Sequence, residues 1–284
     1  MPGTDSQPIT SRHNRRVVEV RKLAQRKHRV LQGRFRVEGL QLLHMALSSG
    51  ARPVDVFYCQ SQFTGKGAPA LLSRFRQAGA DTVAVSPHVM GALSDREVCQ
   101  GIVATFALFP ASLQSLSLMG QELVVVLDRL QDPGNVGTLI RTADAVGAAA
   151  VILIEPCVDP FDPKAVRGSM GSLFSMPLVQ TEAVSDLFRV LCEKRLRLVG
   201  ADARSGEAWG RDAWDGGVAL ILGNEARGLS QDVSSYVQSW VYLPIVGGAE
   251  SLNVAVAGGV LMYAWLRANL REQSGRQEPA GGAQ

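Results

Sequence analysis

The chain has 284 residues, of which 46% are hydrophobic and 19% are charged, and its formal net charge is +3. This length suits one large domain or two ordinary ones, and the composition is typical of a soluble globular protein with a sizeable core. The first ten residues lack the basic and apolar regions of a signal sequence, and the long uncharged stretch 101–121 is interrupted by Pro110 and several serines. We therefore expect neither secretion nor a membrane span.

The four cysteines are widely separated in the sequence and form no CxxC or Cys/His cluster. They are Cys59, Cys99, Cys157 and Cys192. Unpaired thiols are typical of a reducing compartment, and metal-ligand spacing is missing. We expect a cytoplasmic protein without a bound metal.

The amino-terminal segment is strongly basic. Between Arg12 and Arg36 there are ten Lys or Arg residues and one acid, Glu19, which leaves 19 basic and 25 acidic residues elsewhere. A basic segment on a mildly acidic body indicates binding to nucleic acid or another anionic surface, and the alternative is a solvated helix face. The candidates for contact with nucleic acid are Arg15, Arg16, Arg21, Lys22, Arg26, Lys27 and Arg29.

The first half of the chain predicts a smaller α/β domain. Residues 1–10 resemble a disordered tail, and helical and extended patterns alternate from residue 11 to residue 109. After a basic helix, the pattern predicts strands near 35–37, 54–59, 82–85 and 101–106 and helices at 39–49 and 71–78. This half of the chain contains no recognisable cluster of catalytic residues.

The second half predicts a doubly wound parallel sheet. A Ser- and Leu-rich linker at 110–120 precedes a domain at 121–271, and 272–284 is predicted as a disordered tail. Apolar strand patterns occur at 123–127, 150–154, 196–200, 218–222 and 240–243, and helical patterns occur at 136–146, 165–174, 183–194 and 251–270. In such sheets, ligands bind at the carboxyl ends of the strands.

Polar residues follow three of these strands. Asn135 is predicted to cap a helix that carries Arg141 two turns later, and Glu225 lies between glycines at a strand end. Ser251 is predicted as the N-cap of the last helix, with Asn253 close behind. A carboxylate at a strand end needs a cation or a ligand, and Arg141 is the obvious partner for Glu225. The structural alternatives are a buried ion pair and a capped core helix.

Several functional classes lack their sequence signatures. No GxGxxG follows the first strand of the second domain, no GxxxxGK[ST] occurs, and the second domain contains no histidine. These absences argue against a nicotinamide or triphosphate enzyme and against catalysis by histidine within this domain. The remaining residue types suit an adenosyl ligand whose reactive end is cationic and carries no phosphate.

Together, the three stretches resemble the three signature motifs of the SpoU-type RNA 2′-O-ribose methyltransferases, in the SPOUT superfamily. The matching sequences are PGNVGTLIRTADAVGA, LILGNEARGLS and LPIVGGAESLNVAVA, and RKLAQRKHRVLQGRFRVEGLQLLHMAL is similar to the substrate-binding extension of many members. The resemblance covers roughly residues 11–270. Ala255 replaces a serine common in the family, and Asp128 replaces a common glutamate.

The resemblance implies a fold, a cofactor and a set of site residues. Members bind S-adenosylmethionine in a bent form in a deep trefoil knot, and they are typically homodimers with sites near the subunit interface. The implied catalytic residues are Asn135, Arg141, Glu225, Ser251 and Asn253. The implied cofactor-binding residues are Ala201, Gly223, Asn224, Gly228, Ile245, Ser251, Leu252 and Asn253.

The resemblance also implies a function, namely transfer of a methyl group to a ribose 2′-hydroxyl in structured RNA. Ribosomal RNA is favoured over tRNA, because the basic domain resembles extensions of members that act on ribosomal RNA. Since a guanidinium is practically never deprotonated, we expect Arg141 to bind a phosphate and stabilise developing alkoxide charge. We expect Glu225 and Asn135 to orient it, Ser251 or Asn253 to contact the hydroxyl, and Arg141, Glu225 and Asn253 to meet around one cleft. The alternatives are a tRNA ribose methyltransferase, a non-catalytic RNA-binding protein of this fold and, more remotely, a nicotinamide oxidoreductase.

Overall fold

The computed structural model describes residues 7–63, 67–95, 99–202, 206–210 and 214–275. The chain divides into two units, Met1–Phe109 with Asp159–Ser175 and Pro110–Val158 with Met176–Gln284. Most of the two predicted tails lies outside the described residues, but Ile9 forms a parallel bridge with Val85. Across these described ranges, no helix is long and apolar enough to cross a membrane.

The first unit contains a four-stranded mixed sheet with flanking helices, as the sequence predicted for a smaller α/β unit. Its strand order is β1-β4-β2-β3, in which β2 and β3 are parallel and the other two pairs are antiparallel. Its elements are α1 (Arg15–Lys22), α2 (Arg26–Gln32), β1 (Arg34–Glu38), α3 (Leu40–Ser48), β2 (Pro53–Tyr58), α4 (Gly67–Gln77), β3 (Asp81–Ala84), α5 (Pro87–Leu93), β4 (Ile102–Ala107) and, from later in the chain, α7 (Pro163–Gly168).

The amino end of α1 shows how local chemistry defines these elements. The Asn14 side chain accepts a hydrogen bond from the backbone N–H of Arg16 at 3.0 Å and so caps the helix. Val17 and Val20, three residues apart on one face, are fully buried in the core of the unit. The basic residues of α1 therefore lie on its remaining surface.

The segment 159–175 packs within the first unit through aromatic side chains. The ring of Phe35 lies 4.9 Å from that of Phe161 and 6.0 Å from that of Phe174, measured between centroids. The sequence predicted one helix at 165–174, but α7 ends at Gly168 and a short 3-10 turn follows. Met170 and Gly171 both adopt positive φ angles, of 50° and 102°, which interrupt a right-handed helix. The predicted helix is therefore too long.

Arg29 forms a buried ion pair in the first unit. Its side chain is 2% exposed, and its guanidinium lies 2.7 Å from the Oδ2 atom of Asp159. The same group donates hydrogen bonds to the backbone carbonyls of Leu23 and Ala24 at 2.9 and 3.0 Å. The prediction that Arg29 contacts RNA is wrong for this structure, because the guanidinium is covered by protein.

Removing one partner of this pair should destabilise the fold. We expect Asp159→Ala to lower the free energy of unfolding by about 3 kcal/mol, because it leaves the buried cation with only the more distant carboxylate of Asp162, at 3.7 Å, as counter-charge. Urea denaturation followed by circular dichroism measures this loss. Asp186→Ala is the matched control, since its exposed pair with Arg189 contributes below about 1 kcal/mol. Equal losses in the two variants would contradict a structural role for Arg29.

The second unit contains a seven-stranded parallel sheet, which confirms the predicted α/β class. The strand order is β7-β6-β5-β10-β8-β11-β9. Its elements are β5 (Leu123–Asp128), α6 (Pro133–Ala145), β6 (Ala150–Ile154), β7 (Leu178–Thr181), α8 (Val184–Glu193), β8 (Arg197–Ala201), β9 (Glu207–Ala208), β10 (Val218–Leu222), α9 (Gln231–Ser234), β11 (Ser239–Tyr242) and α10 (Val254–Gly275). The sequence did not predict β7 and β9, which are short, and the trefoil knot stays a prediction.

The central strands of this sheet are buried on both faces. On one face, Leu187 and Phe188 of α8 pack against alternate residues of β5, β6 and β10. On the other face, α10 packs against α6. A Cβ atom at Gly258 would lie 2.6 Å from side-chain atoms of both Leu139 and Leu222, so a glycine is needed where α10 meets α6 and β10. This packing fixes the amino ends of both helices beside the carboxyl ends of the strands.

The caps of these two helices differ from the predicted ones. Asp132 caps α6 by accepting the backbone N–H of Asn135 at 2.8 Å, and Pro133 occupies the first helical position. Because proline favours that position, the cap precedes it and Asn135 already lies in the first turn. In α10, Asn253 accepts the N–H of Ala255 at 2.8 Å, so Asn253 takes the capping role predicted for Ser251. Both asparagines thus have fixed backbones at a helix entrance.

Candidate active site

A cavity of about 560 Å³ lies at the carboxyl ends of β8, β10 and β11. Its volume falls within the range of roughly 300–1,000 Å³ that is typical of small-molecule sites. Its walls come from the strand ends, from the loop 223–228 after β10 and from the segment 243–254 that leads into α10. Every residue predicted to bind the cofactor lines it, namely Ala201, Gly223, Asn224, Gly228, Ile245, Ser251, Leu252 and Asn253.

A chain of hydrogen bonds joins the three motif segments beside this cavity. The Nδ2 atom of Asn135 donates to Oε1 of Glu225 at 3.0 Å, and the Nδ2 atom of Asn253 donates to Oδ1 of Asn135 at 3.0 Å. Glu225 also accepts the backbone N–H groups of Gln131 and Asp132 at 3.2 and 3.3 Å. Three predicted catalytic residues, up to 118 positions apart, are thereby in direct contact.

Glu225 is held in its ionised form. Partial burial acts to raise the pKa of this carboxyl, but hydrogen bonds from Asn135 and from backbone N–H groups outweigh burial and lower the pKa below its usual value. The N–H groups of Gln131 and Asp132 belong to the turn directly before α6, and the nearby amino end of that helix also favours negative charge. Glu225 is therefore a fixed anion at neutral pH, and its chemistry is that of an acceptor.

Arg141 does not join this cluster. Its side chain is exposed on α6, and within the part of the chain that the structure describes it makes no hydrogen bond or ion pair. The expected pair between Arg141 and Glu225 is absent, because backbone N–H groups and Asn135 already satisfy the carboxylate. A helix turns by about 100° and rises 1.5 Å per residue, so Arg141 emerges well away from the side of α6 that carries Asn135.

A second set of polar contacts holds the loop after β10, and the sequence analysis missed it. The carboxylate of Asp128 is buried and accepts both the N–H and the hydroxyl of Ser230, at 2.6 and 2.7 Å. Asn224 donates to the carbonyl of Arg129 at 2.8 Å. Arg129 adopts a φ of 57° and pairs with Asp232, which lowers the pKa of that carboxyl to about 2. This loop carries Glu225, so these contacts position Glu225 indirectly.

The loop also depends on a close approach of two backbone segments. A Cβ atom at Gly223 would lie 2.3 Å from the backbone of Gly228, and Asn224 and Gly228 exchange backbone hydrogen bonds at 2.9 Å. Gly228 has a φ of 68°, a backbone conformation that residues other than glycine rarely adopt. Both glycines of the second motif are therefore required by backbone geometry.

The donor set of the cavity fits a cationic adenosyl cofactor. Leu222, Val241 and Leu243 provide apolar wall. The carboxylates of the lining, Asp202, Glu225 and Glu250, outnumber its one cation, Arg227, and so favour a positive charge in the ligand. The sequence analysis did not identify Asp202 or Glu250. Among the described residues, the His, Cys, Asp and Glu side chains form no group that could hold a metal ion.

The basic residues of the first unit differ in how available they are. Arg15, Arg21, Arg26 and Lys27 are exposed. Arg16 lies 2.5 Å from Asp55 and 2.7 Å from Asp81, and Lys22 lies 2.8 Å from Glu19. Together with the burial of Arg29, these pairs concentrate the predicted RNA-binding charge on the exposed side chains of Arg15, Arg21 and Lys27.

Comparison with known proteins identifies the family. Residues 122–263, half of the chain, match the SpoU rRNA Methylase family. The chain belongs to the SpoU family. Residues 14–104 of this SpoU protein match the MRM3-like substrate binding domain. The family match supports the activity predicted from the motifs, and the chain is an RNA 2′-O-ribose methyltransferase that uses S-adenosylmethionine.

Similar proteins match this SpoU chain along most of its length. The 23S rRNA (guanosine(2553)-2′-O)-methyltransferase RlmP of Bacillus subtilis is 31% identical over 90% of this chain and 97% of its own. The 23S rRNA (uridine(2479)-2′-O)-methyltransferase of Streptomyces viridochromogenes is 31% identical over 91% of each chain. The crystal structure of the SpoU methyltransferase AviRb from the same species, in complex with AdoMet, matches with a TM-score of 0.82 and 29% identity, covering 90% of this chain and 98% of that one.

Proposed function

We propose that this protein methylates the 2′-hydroxyl of one ribose in ribosomal RNA, with the cofactor in the 560 Å³ cavity. The observation that carries this proposal is the hydrogen-bonded chain of Glu225, Asn135 and Asn253 beside that cavity. The names of RlmP and of its Streptomyces counterpart specify 23S rRNA, which supports a ribosomal substrate over tRNA. Because they specify different nucleotides, each member must select its own position.

Different residues of the cavity would bind different parts of the cofactor. S-adenosylmethionine supplies an electrophilic methyl group on a cationic sulfonium. Leu222 and Val241 would pack against its apolar surface, and the carboxylates of Asp202 and Glu250 would attract its positive charge. Backbone groups around Gly223 would bind the adenosine, because this strand end lines the cavity.

The hydrogen-bonded chain would align the ribose hydroxyl. Glu225 fixes the orientation of Asn135, which in turn fixes Asn253, so the polar atoms facing the hydroxyl are held before substrate arrives. Ser251 or Asn253 would contact the hydroxyl itself. Ideal alignment of two reacting groups supplies about 7–11 kcal/mol of a barrier. Positioning is therefore the main contribution that we assign to these residues.

Arg141 would act on the RNA. It stays protonated and has no ion-pair partner among the described residues, so its charge is available for a phosphate next to the methylated ribose. There it would stabilise negative charge that develops on the ribose oxygen. The exposed side chains of Arg15, Arg21, Arg26 and Lys27 would add attraction that is independent of sequence and that weakens with salt.

The second unit has a surface suited to a second copy of the chain, and we propose a homodimer in the cytoplasm. A groove of about 820 Å³ runs along α6 and α10. Trp209, Val256 and Tyr263 line it and are 41%, 55% and 53% exposed. Contiguous exposed apolar surface of this kind is typical of protein interfaces. The cysteines in the described residues are free thiols, which is typical of a reducing compartment.

A non-catalytic RNA-binding protein of the same fold is the main alternative from another class. The intact set of Asn135, Arg141, Glu225 and Asn253 argues against it, and so does the preformed hydrogen-bonded chain. A tRNA substrate is the alternative within the enzyme class. One measurement of methyl incorporation distinguishes both alternatives from the proposed function.

The test is to label RNA from a host that lacks the modification. We expect the purified protein to transfer the labelled methyl group of S-adenosylmethionine to ribosomal RNA and leave bulk tRNA unlabelled. Reverse-transcription stops should then map a single 2′-O-methyl. Label in tRNA alone would contradict the ribosomal substrate, and no label in either RNA would favour the non-catalytic alternative.

A further inference from the structure

The first unit contains a cavity of about 300 Å³ that shares no lining residue with the active site. It lies beside the turn between α3 and β2 and the end of β4. Its walls include Phe106, Phe109 and Phe174, together with Arg52 and the turn residue Gly50. The residues described for methyl transfer do not include any that line this cavity.

The aromatic wall is only partly used by the core. Phe106 is buried, and its ring meets that of Phe174 edge-on at a centroid distance of 5.1 Å. Phe109 is 38% exposed, and its ring lies 6.0 Å from that of Phe174 at an angle of 30°. The ring of Phe109 also packs against those of Phe35 and Phe161, yet part of its surface is open to solvent, where a flat ligand can stack.

The same cavity carries an unneutralised positive charge. Arg52 is exposed and, across the ranges that the structure describes, makes no hydrogen bond or ion pair. The lining contains no acidic residue. An aromatic surface beside an unpaired guanidinium matches an unstacked nucleotide, whose base has a flat face and whose phosphates are anionic.

We infer that this cavity binds one unstacked nucleotide of the RNA, in addition to the nucleotide that is methylated. The base stacks on Phe109, and a neighbouring phosphate pairs with Arg52. The inference rests on the proposed RNA substrate and deepens it. The cavity lies partly in the segment matched to a substrate binding domain, which agrees with that occupant. It explains how a protein whose basic residues attract any RNA prefers an unpaired nucleotide at a fixed place.

The test compares two short RNAs. The full chain is saturated with S-adenosylhomocysteine, so that the cofactor cavity is filled, and is titrated with fluorescent pentaadenylate or with a pentamer of abasic ribose phosphates. We expect the wild type to bind pentaadenylate about tenfold more tightly, since stacking of a base on an aromatic ring stabilises binding by that order. Phe109→Ala should remove this preference, Phe109→Tyr should retain it, and Arg52→Ala should weaken both pentamers alike.

Matched controls come from the same unit. Leu31→Ala and Arg74→Ala change exposed residues outside the cavity and should leave the tenfold preference in place. If Phe109→Ala fails to fold, Phe109→Leu decides, because leucine keeps the apolar volume without a ring. Equal binding of the two pentamers by the wild type overturns the inference, as does an unchanged preference in the folded Phe109 variant.

The assay does not require methyl transfer. A wild type that prefers pentaadenylate but methylates no ribosomal RNA would overturn the proposed function and keep the nucleotide cavity. A wild type that methylates ribosomal RNA without preferring pentaadenylate would overturn the nucleotide cavity and keep the proposed function. With ribosomal RNA as substrate, Phe109→Ala should raise KM and leave kcat unchanged, because Phe109 does not line the active site.

Discussion

Arg141→Ala should reduce methyl transfer about 10²–10³-fold, the cost of removing one group that stabilises developing negative charge. The affinity for S-adenosylmethionine should stay unchanged, since Arg141 does not line the cofactor cavity. Single-turnover transfer of labelled methyl to ribosomal RNA measures the first quantity, and isothermal titration calorimetry measures the second.

Two controls make this result specific. Arg189→Ala removes an exposed arginine of α8 outside the active-site lining and should leave transfer intact. Arg141→Lys keeps the charge but loses the planar fork that binds phosphate through two hydrogen bonds, so it should recover only part of the rate. Full turnover by Arg141→Ala would refute any catalytic role for this residue.

Asn135→Ala should lower the rate of transfer about 10²-fold, because it removes the link between Glu225 and Asn253. It leaves Glu225 with its backbone donors only and removes the acceptor of the Asn253 Nδ2 group, while the Oδ1 atom of Asn253 still caps α10. Circular dichroism should show an unchanged fold, since Asp132, rather than Asn135, caps α6. Single-turnover kinetics under saturating cofactor separates this effect from weaker cofactor binding.

Asn135→Asp gives a sharper version of the same test. It replaces the Nδ2 donor, 3.0 Å from Oε1 of Glu225, with a second carboxylate oxygen. Two carboxylates at that distance repel each other, and one of them takes up a proton at a raised pKa. We expect an inactive variant at neutral pH that recovers activity as the pH is lowered. A variant as active as the wild type at neutral pH would show that the hydrogen bond is dispensable.

The predicted sheet and the position of the site follow from strong signals in the sequence. Apolar runs such as Leu123–Leu127 are long enough to specify buried parallel strands, and the carboxyl ends of such strands meet at one edge of the sheet. This rule places Glu225 and the segment before α10 together, however distant they are in sequence. The hydrogen bonds between Glu225, Asn135 and Asn253 follow from that convergence.

Other features depend on contacts that sequence patterns do not encode. Arg29 belongs to the most basic stretch, yet it is buried because Asp159, 130 positions away, supplies the counter-charge. Arg141 lies in the same motif as Asn135, but the rotation of α6 directs the two side chains differently. In the sequence, nothing distinguishes Asp128 from other residues at strand ends. Only the structure shows that Ser230 donates two hydrogen bonds to it. The contacts of Arg29 and Asp128 depend on tertiary packing, for which neither spacing nor composition gives a signal, whereas the separation of Arg141 from Asn135 follows from the helical period.

The most direct measurement is a crystal structure of the protein soaked with S-adenosylhomocysteine. We expect S-adenosylhomocysteine to occupy the cavity lined by Gly223, Ile245 and Leu252. Its sulfur should face the side chains of Asn135 and Asn253. Difference density for the product in this cavity, with the sulfur next to the two asparagines, is the predicted result. Density for the product in another part of the chain, with this cavity left empty, would contradict the account.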